Sequence, residues 1–511
     1  MSRFLTIFEV SQKQSFIFSS NALKTNIRNS DIIAYITDCG FISEAVGNAG
    51  LFNRNDNLVY SGGGHTILEF SSFDAAVKVT EKVTYKILSE YPAVEFFAKT
   101  IEYDESKTPG ENVKALTSDL EKKKALRSAS FHQGSFGVEM IDTNTKRPTD
   151  ETEMIAPERN EKVPEGFCPV YAFDDLSASG GKAGFIAVVH IDGNAMGKRV
   201  EKISKSKSSA GWDAYRSSMR SFSEAVASDF TKAFEEMQAA VAESLLRGSL
   251  KNIKLKEKNG RKCFPVRRII SEGDDICFVC DGRIGIECAD LFIKALVKKK
   301  NAVDNEPYAA CAGVSIVHQK YPFYRAYELA EQLCSNAKKF GASLSDDNTG
   351  STVSAIDWHI EYGELQDSLE ETRKQYITED GKLLNLRPLI SDAPEDILGR
   401  EPVRVYSNFK KLMTKINNGR YPTSLLKGLR GPLKRGEADT RYYLRFHKSE
   451  SIARDCYQGV FTEVNLKEVK IGSQEQLERK IFIRTADESE RSILFDAIEA
   501  MDVYLFVKEA E

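Results

Sequence analysis

One stretch constrains the fold more than any other: Ile270-Ser271-Glu272-Gly273-Asp274-Asp275-Ile276-Cys277-Phe278-Val279-Cys280. Apolar residues lead into a Glu-Gly turn, two adjacent acids sit at its tip, and a second apolar run leaves it. That pattern predicts a β-hairpin with carboxylates on the turn. Adjacent acids on a rigid turn repel each other unless a cation stands between them, so they do not serve stability. Hard oxygen ligands of this kind suit magnesium or manganese. A third acid comes from Phe185-Ile186-Ala187-Val188-Val189-His190-Ile191-Asp192-Gly193-Asn194, where an apolar strand again ends in Asp followed by Gly. A Gly-Asp-Asp tripeptide alone reads equally as an acidic surface turn. Two β-branched runs that both end in acids carry more: three carboxylates brought to one end of a sheet is the layout of a metal-dependent nucleotidyl-transfer palm.

The same hairpin design occurs earlier without its acids. Leu58-Val59-Tyr60-Ser61-Gly62-Gly63-Gly64-His65-Thr66-Ile67-Leu68-Glu69-Phe70 runs strand, glycine turn, strand, with Gly64 and His65 where the Asp pair would stand. Glu9 is the one acid near the end of the first strand, Phe4 to Val10. The chain therefore reads as an internal repeat, two palms of which one lost its ligands. Gly62 and Gly63 offer backbone N–H groups to a phosphate, or simply a turn that needs positive φ. His65 reads as a catalytic participant or as a hydrogen-bonded turn residue.

Bulk properties fit a cytoplasmic enzyme. A length of 511 residues suggests two to four domains. A net charge of −4 and a pI near 6.1 argue against a protein that coats nucleic acid, though not against a local basic groove. Nine scattered cysteines suit buried thiols in a reducing compartment. Cys277 and Cys280, spaced like zinc ligands, would point to opposite faces of a strand. The start reads as a strand rather than a signal peptide, and no apolar run approaches the roughly 20 residues of a membrane span.

Helices are expected at Phe73 to Tyr91, Glu111 to Ser128, Trp212 to Arg247, Ile284 to Lys300 and Tyr324 to Phe340, and strands at Ala93 to Tyr103 and Ala309 to Val317. Polar Asp142 to Val163, with Pro148 and Pro157, reads as a linker, and Asp174-Asp175 as surface. The basic stretch Lys251 to Arg268 would meet triphosphates or RNA, or form an exposed loop. From about Asp357 the pattern turns helical, with helices expected at Arg404 to Ile416, Ile452 to Glu463, Glu475 to Arg484 and Ser492 to Phe506. Lys427, Arg430, Lys434, Arg435 and Arg441 cluster there with Tyr442 and Tyr443, either stacking bases or lining a helix face.

Asp192-Gly193-Asn194-Ala195-Met196-Gly197-Lys198 followed by Ser271-Glu272-Gly273-Asp274-Asp275 resembles the palm of the large polymerase-cyclase subunit of type III CRISPR effector complexes, a family related to GGDEF diguanylate cyclases and class III nucleotide cyclases. The family pattern is Asp-Gly-Asp-x-Met-Gly-Lys, then Gly-Gly-Asp-Asp on a hairpin. Asn194 replaces the second Asp of the first motif and Glu272 the first Gly of the second. Gln14-Ser15-Phe16-Ile17-Phe18, with Leu23 and Asn29-Ser30, is similar to the start of the family's first palm.

The resemblance implies an α+β chain of two ferredoxin-like palm domains and a helical C-terminal domain. The divisions are a degenerate palm over 1–145, a linker over 146–184, a catalytic palm over 185–360 and the helical part over 361–511. It implies Mg²⁺ or Mn²⁺ held by Asp192, Asp274 and Asp275, with the Ile191 or Gly193 carbonyl as a further ligand. Gly193, Asn194, Gly273, Lys338, Gly62, Gly63 and His65 would contact nucleotide, Lys338 through the phosphates. The implied activity joins nucleoside triphosphates, ATP by resemblance, into a cyclic mono- or oligonucleotide messenger in antiviral defence. A rival is a non-catalytic nucleotide sensor or scaffold in an RNA-guided effector. Partners would be RNA, effector subunits or a second copy, and no membrane. No His-Asp dyad of the family's HD nuclease precedes the first strand, so DNA cleavage by that route is not expected.

Overall fold

The computed structural model describes residues 2–47, 50–126, 162–176, 184–207, 211–345, 350–363, 368–457, 460 and 481–508. Alternating apolar residues make Phe4–Val10 a strand, β1. Short helices α1 (Lys13–Ile17), α2 (Leu23–Ile36), α3 (Cys39–Val46) and α4 (Arg54–Asn57) lead to a hairpin, β2 (Leu58–Gly62) and β3 (His65–Phe70). Helix α5 (Phe73–Glu90), strand β4 (Phe96–Glu102) and helix α6 (Pro109–Ala125) follow. The antiparallel sheet has the order β2-β3-β1-β4, as in a ferredoxin-like βαββαβ unit. Helix α6 starts before the expected Glu111, because Thr108 caps it reciprocally with Glu111 and Pro109 occupies the first turn.

The second unit repeats the pattern: β6 (Phe185–Gly193), α7 (Met196–Lys207), α8 (Trp212–Leu246), hairpin β9 (Val266–Glu272) and β10 (Asp275–Asp281), α9 (Gly285–Val297), β11 (Ala310–His318), α10 (Phe323–Leu344). Before it, β5 (Phe167–Cys168) pairs with β8 (Arg261–Cys263), which also pairs with β7 (Glu257–Lys258), in a small separate sheet. The main sheet runs β13-β12-β11-β6-β10-β9, adding β12 (Ser354–Ile360) and β13 (Leu389–Asp392) to the 4-1-3-2 core.

Both faces of this sheet are covered, which is why its central strands are continuously apolar. Ala187, Val189 and Ile191 pack toward α8 and α9, while Ile186 and Val188 join a core containing Phe8, Val10, Phe18 and Ile27 of the first unit. The two palms thus share a core. Helix α8, 35 residues and about 50 Å long, runs along both. Its Trp212 indole donates to Glu69 at 2.7 Å and its Ser223 hydroxyl to the Ser61 carbonyl at 2.9 Å.

Two expectations change. The segment after 360 is not purely helical. Leu389–Asp392 pairs with β12, which would otherwise be an open edge strand, and Phe482–Arg484, expected at a helix end, forms a hairpin with Glu490–Ser492. Asp175 is buried rather than a surface acid, because Lys256 and Lys258 pair with it. Of the expected linker, residues 162–176 are described and contribute β5, while 127–161 and 177–183 lie outside the described residues. Helices do dominate the C-terminal part, among them Tyr406–Ile416 and Glu437–Phe446. It is tied to the second palm by the buried Glu287 carboxylate, which accepts from the Tyr406 and Tyr504 hydroxyls at 2.7 and 2.5 Å. Among the described residues, no helix is long and apolar enough to cross a membrane.

Candidate functional site

Strand register brings the predicted acids together. Asp275 is the direct partner of Asp192 on one side and of Glu272 on the other, so these three side chains lie abreast on one sheet face. Asp274 occupies the two-residue loop between β9 and β10. Gly273 opens that loop at φ +66°, the positive value that a type II′ turn places at its first position. Gly193 permits a close approach: an added Cβ would stand 3.0 Å from the Asp274 Cβ and 3.2 Å from the Phe230 ring. Its N–H donates to the Asp274 carbonyl at 3.1 Å, fixing the hairpin tip on the end of β6.

Crowded carboxylates hold their protons. Burial, then the Asp192 charge, pushes Asp274 up to about 6. Asp275 rises well above the carboxylate range through burial and the charges of Asp192, Glu272 and Asp274. Its side chain keeps 37% exposure, yet its Oδ1 is fully enclosed without a hydrogen-bond partner. The facing His190 Nδ1, 3.4 Å away, is likewise unpartnered, and burial takes that imidazole down to about 4, so it faces Asp275 neutral. Lys338 on α10 supplies the nearest cation, with Nζ 2.6 Å from Asp192 Oδ2 and 3.0 Å from the Gly193 carbonyl. Burial works against its charge, but the Asp192 carboxylate outweighs it and raises its proton affinity.

The donor set suits a hard divalent cation. The enclosed, unpartnered Asp275 Oδ1 and the mutual repulsion of three acids are what such an ion would relieve. As arranged, no three metal-binding side chains converge on one point among the described residues; Asp192 faces Lys338 instead. Asp192, Asp274 and Asp275 therefore fit the ion in chemistry, and holding it together requires their side chains to turn. Ile191 lies wholly buried between Ile276 and Ala312, so only its carbonyl is suited to coordination.

Asn194 occupies a different place from the one expected of a nucleotide contact. It is buried, and its amide donates to the Gly350 and Val353 carbonyls at 2.9 and 2.7 Å, tying the loop before β12 to the end of β6. Gly62, Gly63 and His65 sit at the first palm's hairpin tip, where φ is positive at both Gly63 and Gly64. The His65 ring meets the Tyr60 hydroxyl at 2.5 Å, and burial depresses its proton affinity despite Glu9 opposite. Most of the C-terminal basic cluster has structural partners: Lys427 with Asp502, Arg435 with Asp439, Arg441 with Glu437, and Arg430 with the Ile498 carbonyl. At the end of the basic stretch, within β9, Arg267 is buried over the Tyr171 ring and Arg268 lies over Phe234.

Sequence reasoning missed Lys13. Its Nζ lies 3.4 Å from Glu272 Oε2 and 2.5 Å from the Gly63 carbonyl, linking the two hairpin tips. Next to it, Gln14 donates to the Tyr327 hydroxyl at 3.1 Å and to Glu331 at 3.0 Å, both on the helix that carries Lys338. Glu272, a departure from the family's glycine, is thus the second palm's half of an interpalm contact.

Residues 185–343 match the family model described as Cas10/Cmr2, second palm domain. No curated protein matches the sequence. Among solved structures, the Csm1-Csm4 cassette in complex with cA3 is similar at 15% identity and TM-score 0.54, over 98% of this chain and 70% of that one. The cassette in complex with one ATP is similar at 16% identity and TM-score 0.51, over the same shares. Csm1 in T.onnurineus is similar at 16% identity and TM-score 0.50, again over 98% and 70%. At these identities the structural likeness establishes the fold. Residues 185–343 thus match the Cas10/Cmr2 second palm domain, in a chain that resembles the large palm-domain subunit of type III CRISPR effector complexes.

Proposed function

We propose that this chain is a metal-dependent nucleotidyltransferase that converts nucleoside triphosphates, ATP first among them, into a cyclic nucleotide or oligonucleotide within type III CRISPR defence. One observation carries the proposal: Asp192 and Asp275 face each other across adjacent strands with Asp274 on the adjoining turn, and all three belong to the matched palm. Such crowding raises proton affinity and destabilises the empty site, a cost that a cation and phosphates would offset. Asp192, Asp274 and Asp275 would hold Mg²⁺ or Mn²⁺, with the Ile191 carbonyl beside them. A divalent ion there supplies activation of a ribose hydroxyl and charge compensation for leaving pyrophosphate.

The chain's own residues position the reaction. The hydroxyl oxygen bonds to an α-phosphorus, the α–β bridging bond breaks, pyrophosphate departs, and the hydroxyl proton passes to solvent. Lys338 presents an ammonium at the end of β6 where triphosphate charge would lie. Gly193 and Gly273 keep the backbone close and leave no side chain in the way. The Gly62-Gly63 turn of the first palm would face a second nucleotide. The Csm4 partner and nucleotides named for similar structures make a further subunit and ATP the partners proposed here.

A nucleotide sensor without turnover is the second reading, favoured by the engagement of Asp192 with Lys338 and of Asn194 with backbone carbonyls. Incubating the purified chain with each triphosphate and Mn²⁺, followed by mass spectrometry, separates the two. A cyclic product, absent from the Asp274→Ala/Asp275→Ala variant, is expected. Undiminished turnover by that double variant refutes the assignment, and binding without product establishes the sensor.

A further inference from the structure

An ion pair bridges the two hairpin tips. Lys13, from α1 of the first palm, reaches the Gly63 carbonyl and Glu272 Oε2, and Glu272 stands beside Asp275 in register. The two tips approach closely here: a Cβ on Gly64 would lie 2.6 Å from the Lys13 Cδ and 3.4 Å from Glu272 Oε2. The Glu272 side chain is only 9% exposed, and its second oxygen, Oε1, is enclosed without any hydrogen-bond partner. A buried carboxylate oxygen left without a partner is a standing free-energy cost. An anion entering this cleft would meet Glu272 as a like charge and Lys13 as its natural counter-ion.

We propose that Glu272 is a built-in competitor for nucleotide phosphates: it occupies Lys13 in the closed cleft, and a triphosphate enters between the palms by taking Lys13 from it. This rests on the nucleotide-site reading above and adds the residue that opposes occupancy and the one that rewards it. Displacement relieves the unpartnered Glu272 oxygen by turning it toward water, while the Lys13 ammonium exchanges a carboxylate for a phosphate. Gln14, next to Lys13, contacts Tyr327 and Glu331 of the helix bearing Lys338, so the exchange is felt on both sides of the cleft.

The test is ATP binding by calorimetry on the full chain in Ca²⁺, with Glu272→Gln, Lys13→Met and the double variant, melting temperatures confirming that each folds. Glu272→Gln is expected to bind ATP about tenfold tighter than the wild type, Lys13→Met several-fold weaker. The Gln substitution should give no gain in the Lys13→Met background, since the competition requires both partners. An equal gain in either background, an unchanged affinity in Glu272→Gln, or no ATP binding by that variant overturns the proposal. Product formation is scored separately. Tighter binding without any product from any variant sinks the synthase reading and leaves the competitor standing; product with unchanged affinities does the reverse.

Discussion

Replacing Asp274 with Asn should stabilise the metal-free protein, and the gain should depend on pH. Asp274 is lifted from 3.8 to about 6 by burial and by Asp192. Two units correspond to about 3 kcal/mol as a ceiling. The hairpin tip is partly open to solvent, which reduces this to roughly 1–2 kcal/mol. The folded state holds the proton more tightly than the unfolded chain, so the group destabilises the fold once both are ionised. Its penalty is absent below about pH 4, grows as pH rises through about 6, and is constant above. The Asn variant should therefore match the wild type near pH 4 and melt roughly 2–8 °C higher near pH 8 in chelator, if the palm unfolds as a unit. Adding Mn²⁺ should raise the wild-type melting temperature and close the gap. Differential scanning fluorimetry across this range is sufficient. A variant equal to or less stable than the wild type near pH 8 without metal would refute the reasoning.

Other perturbations follow from single contacts. Lys338→Met removes the ammonium 2.6 Å from Asp192 and should lower ATP turnover by about 100-fold or more; a loss under about threefold in steady-state kinetics contradicts the role. Gly313→Ala places a Cβ 1.9 Å from the Ala330 carbonyl and 2.4 Å from the Cys334 nitrogen. It should lose about 2–4 kcal/mol in urea unfolding and, by pushing α10 off the sheet, lower nucleotide affinity as well. Arg387 is fully buried with Glu499 at 2.7 Å and Asp496 at 3.4 Å. Arg387→Met should lose about 3–5 kcal/mol by leaving both acids uncompensated, measured in the same way.

Much of the second palm was legible because local signals agree with tertiary burial. The β-branched run ending at Asp192 is a strand apolar on both faces because both are covered, and Ile269-Ile270 lead the next strand into the turn after Glu272. The glycine at 273 marks a turn that needs positive φ. What local pattern does not contain was missed. Lys13 and Glu272 lie 259 positions apart, and neither looks unusual alone. His190 reads as one residue of an apolar strand, and its proximity to Asp275 depends on register. Strand β13 has only four residues within helical surroundings, and it forms because β12 needs a partner. Asp175 reads as surface because the lysines that bury it are more than 80 residues away. Asn194 occupies a family ligand position in sequence, but its amide is drawn to the carbonyls before β12.

The most direct test is Mn²⁺ binding followed by electron paramagnetic resonance on the full chain, with and without ATP. The wild type should bind Mn²⁺ at the carboxylate cluster, more tightly with ATP, and Asp275→Asn should abolish the bound signal while remaining folded. An unchanged signal in Asp275→Asn, or no binding by the wild type even with ATP, would contradict the claim that Asp192, Asp274 and Asp275 form a metal-dependent nucleotide site.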